Sequence, residues 1–338
     1  KDFSLDELNS RLKSLSAEPY RAKQVFEWIY QNLANNFGEM TDLPFQLRLI
    51  LSDKFLILTS KIVKRHISKL DGTRKYLFRL DDNETVEAVL IPAKGRQTVC
   101  LSSQVGCAYG CKFCASGLLG IKRDLRCGEI LEQALGISRD IKGTRITNVV
   151  MMGTGEPLAN YDNVMKAISI MNSPYGFGIG ARKITVSTAG YIPGIKRFME
   201  EKAQIELSVS LHAATDKTRS YLMSINRKYP LSELMEVCRE YVREKDRIIT
   251  FEYVLIKGVN ASREDATALS KLLKGLPGKV NLIPFNPVSS FNFMPPSGKE
   301  VKEFQDILKN HDVNSTIRAQ RGADIDAACG QLRLHEAI

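Results

Sequence analysis

The sequence predicts an α/β fold built on a parallel sheet, open or curled into a partial barrel, with a helical segment and a β-hairpin ahead of it. Three observations carry this. From residue 98, apolar strand-like runs alternate with amphipathic stretches, giving six strand–helix units in about 215 residues. Across residues 1–60 the apolar positions follow a helical period. From Tyr76 that period falls to two.

In chain order, Phe3, Leu5, Leu8, Leu12 and Leu15, then Val25, Phe26, Ile29 and Leu33, mark helical faces punctuated by Pro19 and Pro44. Tyr76–Leu80 and Val86–Ile91 flank Asp81-Asp82-Asn83, which reads as a hairpin with a polar turn. Strands are expected at 98–104, 146–152, 183–188, 205–212, 248–256 and 279–285, and helices near 127–141, 161–172, 193–202, 231–244, 263–274 and 298–310. A last apolar stretch, Ser315–Ala319, precedes the tail. The expected organisation is a helical accessory domain at 1–75, a hairpin extension at 76–97, a core barrel at 98–322 and a C-terminal segment at 323–338.

Of the 338 residues, 43% are hydrophobic and 25% charged, too apolar a balance for a disordered chain. No apolar run is long enough to span a bilayer. The net charge of +10 suits a polyanionic partner. Seven cysteines, an odd number in a long chain, argue for reduced thiols and a cytoplasmic location rather than a disulfide scaffold. No charged start followed by an apolar segment opens the chain at Lys1, so no targeting signal is expected.

The sharpest feature is Cys107-Ala-Tyr-Gly-Cys111-Lys-Phe-Cys114, directly after the first core strand. Three thiolates on a cubane iron–sulfur cluster leave one iron without a protein ligand, open to a small molecule. A zinc knuckle with a distant fourth ligand, or three buried cysteines without metal, are the other readings of this spacing. Polar groups recur at the ends of later strands: Gly155-Glu156 in Met151-Met-Gly-Thr-Gly-Glu-Pro157, Ser187, Ser210-Leu211-His212, and Asn286. In parallel sheets these ends form the binding rim. The glycines allow close backbone approach to a ligand, and Glu156 can accept from an amine.

The C-x3-C-x2-C spacing with an aromatic before the third cysteine (Phe113) resembles the signature of radical S-adenosylmethionine (SAM) enzymes. The resemblance implies a partial (β/α)6 barrel, a [4Fe–4S] cluster held by Cys107, Cys111 and Cys114, and SAM bound at the open iron. It also implies SAM contacts from Gly155, Glu156, Ser187, Ser210, Leu211, His212 and Asn286, and a radical generated by reductive cleavage.

Cys329, in Asp324-Ile-Asp-Ala-Ala-Cys-Gly-Gln-Leu332, and Cys100, in the first core strand, read by themselves more readily as plain core, the reading kept for Cys127 and Cys238. The tail around Cys329, the Tyr20–Tyr30 segment and Asn281-Leu-Ile-Pro-Phe-Asn-Pro287 are very similar to the RlmN/Cfr family of RNA methyltransferases, a likeness running from about Tyr20 to Leu332. By that likeness Cys329 carries a methyl group, Cys100 resolves the intermediate through a transient disulfide with Cys329, and Glu87 accepts a proton. The implied product is C2-methyladenosine, in 23S rRNA at position 2503 and in tRNA at position 37, with two SAM used per turnover. A reduced donor such as flavodoxin, no membrane and a monomeric enzyme complete the expectation. Lys61, Lys64, Arg65 and Lys69 form a candidate patch for the RNA backbone, or a solvated basic face.

Three rivals stand beside this reading. Adenine-C8 methylation by the antibiotic-resistance branch of the family is disfavoured by Ile91-Pro92 and by Pro157 after Glu156. A zinc-stabilised, non-catalytic RNA-binding protein would be colourless. A radical-SAM enzyme for a protein or metabolite would have no use for the Cys100 and Cys329 pair. Two departures from the C2 branch, Ser224 before Ile225-Asn226 and a short tail after Leu332, are expected to touch no motif residue.

Overall fold

The computed structural model describes residues 1–141, 143–288 and 290–332; the end of the tail after Leu332 lies outside them. Three helices open the chain, α1 (Leu5–Lys13), α2 (Tyr20–Tyr30) and α3 (Phe45–Lys54). Ser4 and Glu7 form a capping box that satisfies orphan N–H groups at the start of α1. α2 buries Ala22, Val25, Phe26, Ile29 and Tyr30 along one stripe, each large side chain contributing on the order of 1.5–3 kcal/mol by leaving water.

The helical stretch ends at a strand the sequence reading did not foresee. β1 (Lys61–Ile67) pairs antiparallel with β2 (Arg74–Arg79), β2 with β3 (Thr85–Ala93), and β3 with β4 (Arg96–Cys100). All seven β1 residues are exposed, so no alternation of buried and exposed positions marks it as a strand. The candidate residues Lys61, Lys64 and Arg65 therefore lie on a sheet edge, with Arg65 paired to Asp140.

β5 (Gln104–Gly106) and β6 (Ile121–Asp124) make a small separate ribbon around the three-cysteine loop. The alternating core then follows as α4 (Cys127–Asp140), β7 (Asn148–Met151), α5 (Tyr161–Asn172), β8 (Ile184–Thr188), α6 (Ile192–Glu200) and β9 (Glu206–Ser210). It continues through α7 (Asp216–Leu222), α8 (Leu231–Lys245), β10 (Ile249–Leu255), α9 (Arg263–Leu272), β11 (Gly278–Pro284), α10 (Gly298–Asn310) and β12 (Ser315–Ile317). β4, β7, β8, β9, β10, β11 and β12 run parallel in that order, within one ten-stranded sheet.

The six expected strand–helix units are present. The first expected strand, 98–104, divides into β4 and β5, and β12 adds a seventh parallel strand. The short α7 was not expected. The N-terminal helices dock on the outer helices: Gln31 donates to the Pro174 carbonyl (2.7 Å), and Arg139 of α4 to the carbonyls of Leu33 and Ala34 (3.1 and 3.0 Å). Among the described residues no helix is long and apolar enough to cross a membrane.

Candidate active site

The three-cysteine loop begins where β5 ends. Gly106 has φ +80°, and a Cβ there would lie 1.9 Å from the Gly120 carbonyl oxygen, so only glycine permits this turn. The loop is then pinned by its backbone. The amide of Cys107 donates to Gly120 (3.0 Å), Lys112 to Leu222 (2.9 Å), Cys114 to Cys111 (3.0 Å) and Ala115 to Gly330 (2.7 Å).

Cys107, Cys111 and Cys114 all line one cavity at the C-terminal ends of the parallel strands. Burial and mutual repulsion raise the Cys111 thiol, burial raises Cys114, and burial pushes Cys107 up to about 12. Such thiols ionise when a cation binds them. Among the described residues no three His, Cys, Asp or Glu side chains converge as one metal ion requires. A cubane is several ångströms across and holds its cysteines farther apart than a lone ion does. Three thiols that line one cavity without closing on a single metal ion fit a [4Fe–4S] cluster held by three cysteines.

Gly155, Glu156, Ser187, Ser210 and His212 line the same cavity. Gly155 has φ +107° and a Cβ there would strike Gln104 and Ser103. Glu156 accepts from the backbone amides of Ala189 (2.7 Å) and Leu158 (3.1 Å), yet burial still pushes its carboxyl up to about 7. His212 accepts from the Val254 amide at Nδ1 (2.9 Å), which leaves the neutral ring a donor at Nε2. Burial, aided by Arg219, pulls its pKa down to about 3.

Leu211 lies between the lining residues Ser210 and His212, and Asn286 bonds to the lining residue Cys329. Leu211 is fully buried in the core and its carbonyl accepts from Arg219 (3.1 Å). Asn286 donates to the Cys329 carbonyl (3.0 Å), and so positions the C-terminal segment.

Cys329 lines the cavity beside the cluster cysteines, and Gly330 follows with φ +85°. Its segment is tied down on several sides. Ser116 donates to Leu332 (2.7 Å), Gln331 to Pro287 (2.9 Å) and Lys75 to Asp326 (3.1 Å). Cys100 is buried and packs in a small apolar cluster with Ala327 and Leu332, near enough to Cys329 for its charge to help raise the Cys100 thiol, behind the dominant effect of burial. All seven cysteines are free, so no disulfide joins this pair in the structure. Glu87 is buried on β3, paired with Lys75 at 3.0 Å, and its carbonyl accepts from Ser102 (2.6 Å).

Three features escaped the sequence reading. Arg219 of α7 is wholly buried and donates to the carbonyls of Leu211, Ala189 and Ser210 and to Asn226. It clamps together the loops after β8 and β9. Glu252 of β10 also lines the cavity and accepts from Ser208 (3.0 Å) and Asn281 (2.9 Å). Ser224, expected to touch no motif residue, donates to the Tyr109 carbonyl inside the cysteine loop (2.5 Å). Only the polar character of Glu252 in an apolar strand could have been read beforehand.

This fold and site define a radical SAM enzyme. Residues 101–269 match the family model described as the Radical SAM superfamily, and residues 1–57 match the ribosomal RNA large subunit methyltransferase N-terminal domain. A probable dual-specificity RNA methyltransferase RlmN from Pelotomaculum thermopropionicum is 48% identical over all of this chain and 92% of its own length. Another from Caldanaerobacter subterraneus is 46% identical over 98% of this chain and 97% of its own. The crystal structure of a radical SAM methyltransferase from Sphaerobacter thermophilus covers 98% of both chains, with a TM-score of 0.94 and 46% identity. The chain belongs to the RlmN family and is a SAM-dependent RNA methyltransferase.

Proposed function

We propose that this enzyme methylates C2 of adenosine in 23S rRNA and tRNA through a methyl group carried on Cys329. The observation that carries the reading is the placement of Cys329 on the same cavity wall as Cys107, Cys111 and Cys114. A cluster and SAM bound there supply a 5′-deoxyadenosyl radical.

Adenine C2 lies between two ring nitrogens and is electron-poor, so it does not attack a sulfonium methyl as a nucleophile. A carbon radical adds to it. Cys329 first takes a methyl from one SAM: its thiolate attacks the methyl carbon, the bond from that carbon to the sulfonium sulfur breaks, and S-adenosylhomocysteine leaves. A second SAM is consumed in removing one hydrogen from that methyl, and the Cys329 methylene then bonds to C2. The adduct returns one electron to the bound cluster, which gives one up when SAM is cleaved, and Glu87 takes the C2 proton, or Cys100 takes it and passes it on before acting as a thiolate. Cys100 next attacks the Cys329 sulfur: the S–S bond forms, the S–C bond breaks, and its electron pair returns through the ring to a carbon that is protonated as methyl. Glu156, Ser187, Ser210 and the Nε2–H of His212 offer the acceptors and donors that orient SAM.

The base must leave its stack to reach this cavity, so a loop or a deformed helix is the substrate. Lys61, Lys64 and Lys69, beside Arg65 on the exposed edge, are backbone contacts in this reading. The enzyme works as a cytoplasmic monomer reduced by a donor such as flavodoxin. Anaerobic purification with iron counting, followed by methylation of a 23S fragment and mass mapping of the modified adenosine, tests the reading. A C2 product supports it; a C8 product moves the enzyme to the other branch, and a colourless zinc protein overturns it.

A further inference from the structure

A second cavity, of about 670 Å³, opens at the other end of the parallel strands. Its wall includes Thr98, Asn148, Thr185 and Thr250, which precede the C-terminal ends of β4, β7, β8 and β10. The cations around it are Arg96, Arg182, Lys183, Arg247, Lys279 and Arg318, against two acids, Glu206 and Asp246. Arg247 is paired with Glu206, and its buried Nε has no hydrogen-bond partner. Among the described residues Arg96, Lys183, Lys279 and Arg318 have no ion pair. The volume lies in the range that holds a nucleotide-sized ligand, roughly 300–1,000 Å³. Concentrated cation with so little counter-charge focuses field on an anion.

The two cavities share Arg318, whose charge acts on both Cys100 and Cys329. Ile91 and Val150 line the basic cavity and pack against the apolar cluster that contains Cys100, while Cys329 lines the SAM cavity. On the cysteine-loop side the SAM cavity is walled by the C-terminal segment, held through Gly330, Leu332 and Gln331. Cys329, on the wall of one cavity, is thus linked through Arg318 to the other.

We infer that the basic cavity admits the target nucleotide of a single-stranded RNA, with its flanking phosphates on Arg96, Lys183 and Lys279 and the base passing Arg318 towards Cys329. This rests on the RNA-methylation reading above and adds to it the side from which the substrate arrives. The phosphates neutralise cations that have no acidic partner, and the threonine and asparagine hydroxyls and amides give the sugar and base polar contacts.

The test uses the full-length, cluster-reconstituted protein with SAM and a fluorescent RNA stem-loop carrying an unpaired adenosine, read by anisotropy. The double variant Arg96→Glu and Lys183→Glu should bind this RNA at least ~10-fold more weakly, with a log K against log salt slope shallower by about 1.4–1.8, since each phosphate contact contributes roughly 0.7–0.9. SAM affinity should be unchanged, which also reports folding. Lys183→Gln alone, a milder change, should weaken RNA binding about threefold and serves if the double variant does not fold. A variant of equal charge change on α10, Lys299→Glu with Lys309→Glu, should bind RNA within about twofold of the unaltered protein. RNA binding untouched in the cavity variants, or equally weakened in the α10 variant, overturns the inference and leaves the methylation reading standing. Failure of the unaltered protein to bind the RNA overturns both.

Discussion

The Lys75 ammonium on β2 and the Glu87 carboxylate on β3 form an ion pair 3.0 Å long inside the protein, and the same ammonium donates to the carbonyl of Asp326, three residues before Cys329. Lys75 pairs with Val89 across the ladder, so Glu87 is its diagonal neighbour on the same face. One cation therefore ties the proposed proton acceptor to the segment that carries the proposed methyl-bearing thiol.

Lys75→Met removes a cationic partner from a buried carboxylate and a donor from the Cys329 segment. The expected loss of stability is about 3–5 kcal/mol, measured by denaturant unfolding. Lys75→Met combined with Glu87→Gln should recover most of it, because no buried charge then remains to be matched. Neither protein should methylate RNA at more than a small fraction of the normal rate. Full activity in the single variant would separate Lys75 from the chemistry.

Arg219→Met should lower both thermal stability and SAM affinity. It leaves the carbonyls of Leu211, Ala189 and Ser210 without a buried donor, at about 1–3 kcal/mol for each left unsatisfied. Those carbonyls belong to the loops after β8 and β9, next to Ser187 and His212. Differential scanning fluorimetry and a SAM titration read the two effects. Unchanged SAM affinity would show that the clamp serves the fold alone.

SAM binding should depend on pH through Glu156. Burial pushes its carboxyl up to about 7, and only the carboxylate attracts an ammonium. Affinity should rise with pH up to about 7 and level off above it, and Glu156→Gln should bind weakly with this rise absent. The stability of the SAM-free protein has the opposite sign. The folded state holds the Glu156 proton more tightly than the unfolded state does, so this carboxyl's contribution is full below about 4.5 and fades as pH rises through about 7.

Much of the core was legible because its signals are local. The 161–172 and 298–310 helices stand where their apolar periods end, and α5 and α10 keep those limits. The cysteine loop and the polar ends of β8 and β9 were readable because thiols and polar side chains interrupt apolar runs there. β1 was hidden because an edge strand exposed on both faces need not alternate. Arg219 was hidden because its partners lie on loops up to 30 residues away, and α7 is only seven residues long. The Lys75–Glu87 pair needs the register of β2 against β3, which a hairpin pattern does not supply.

Substituting any one of Cys107, Cys111 or Cys114 by alanine should abolish the iron–sulfur chromophore of the anaerobically purified protein, against about four irons in the unaltered enzyme. Cys127→Ala and Cys238→Ala, both buried away from the cavity, should retain it. Loss of iron in those two with retention in the loop variants would reverse the assignment.

The most direct measurement is peptide mass mapping of the reconstituted enzyme after incubation with SAM bearing a labelled methyl group, followed by addition of RNA. Methyl on the Cys329 thiol before RNA is added, its loss from that residue as labelled adenosine appears, and neither event in Cys329→Ala are the expected results. Labelled RNA formed by the Cys329→Ala protein would contradict transfer through this residue.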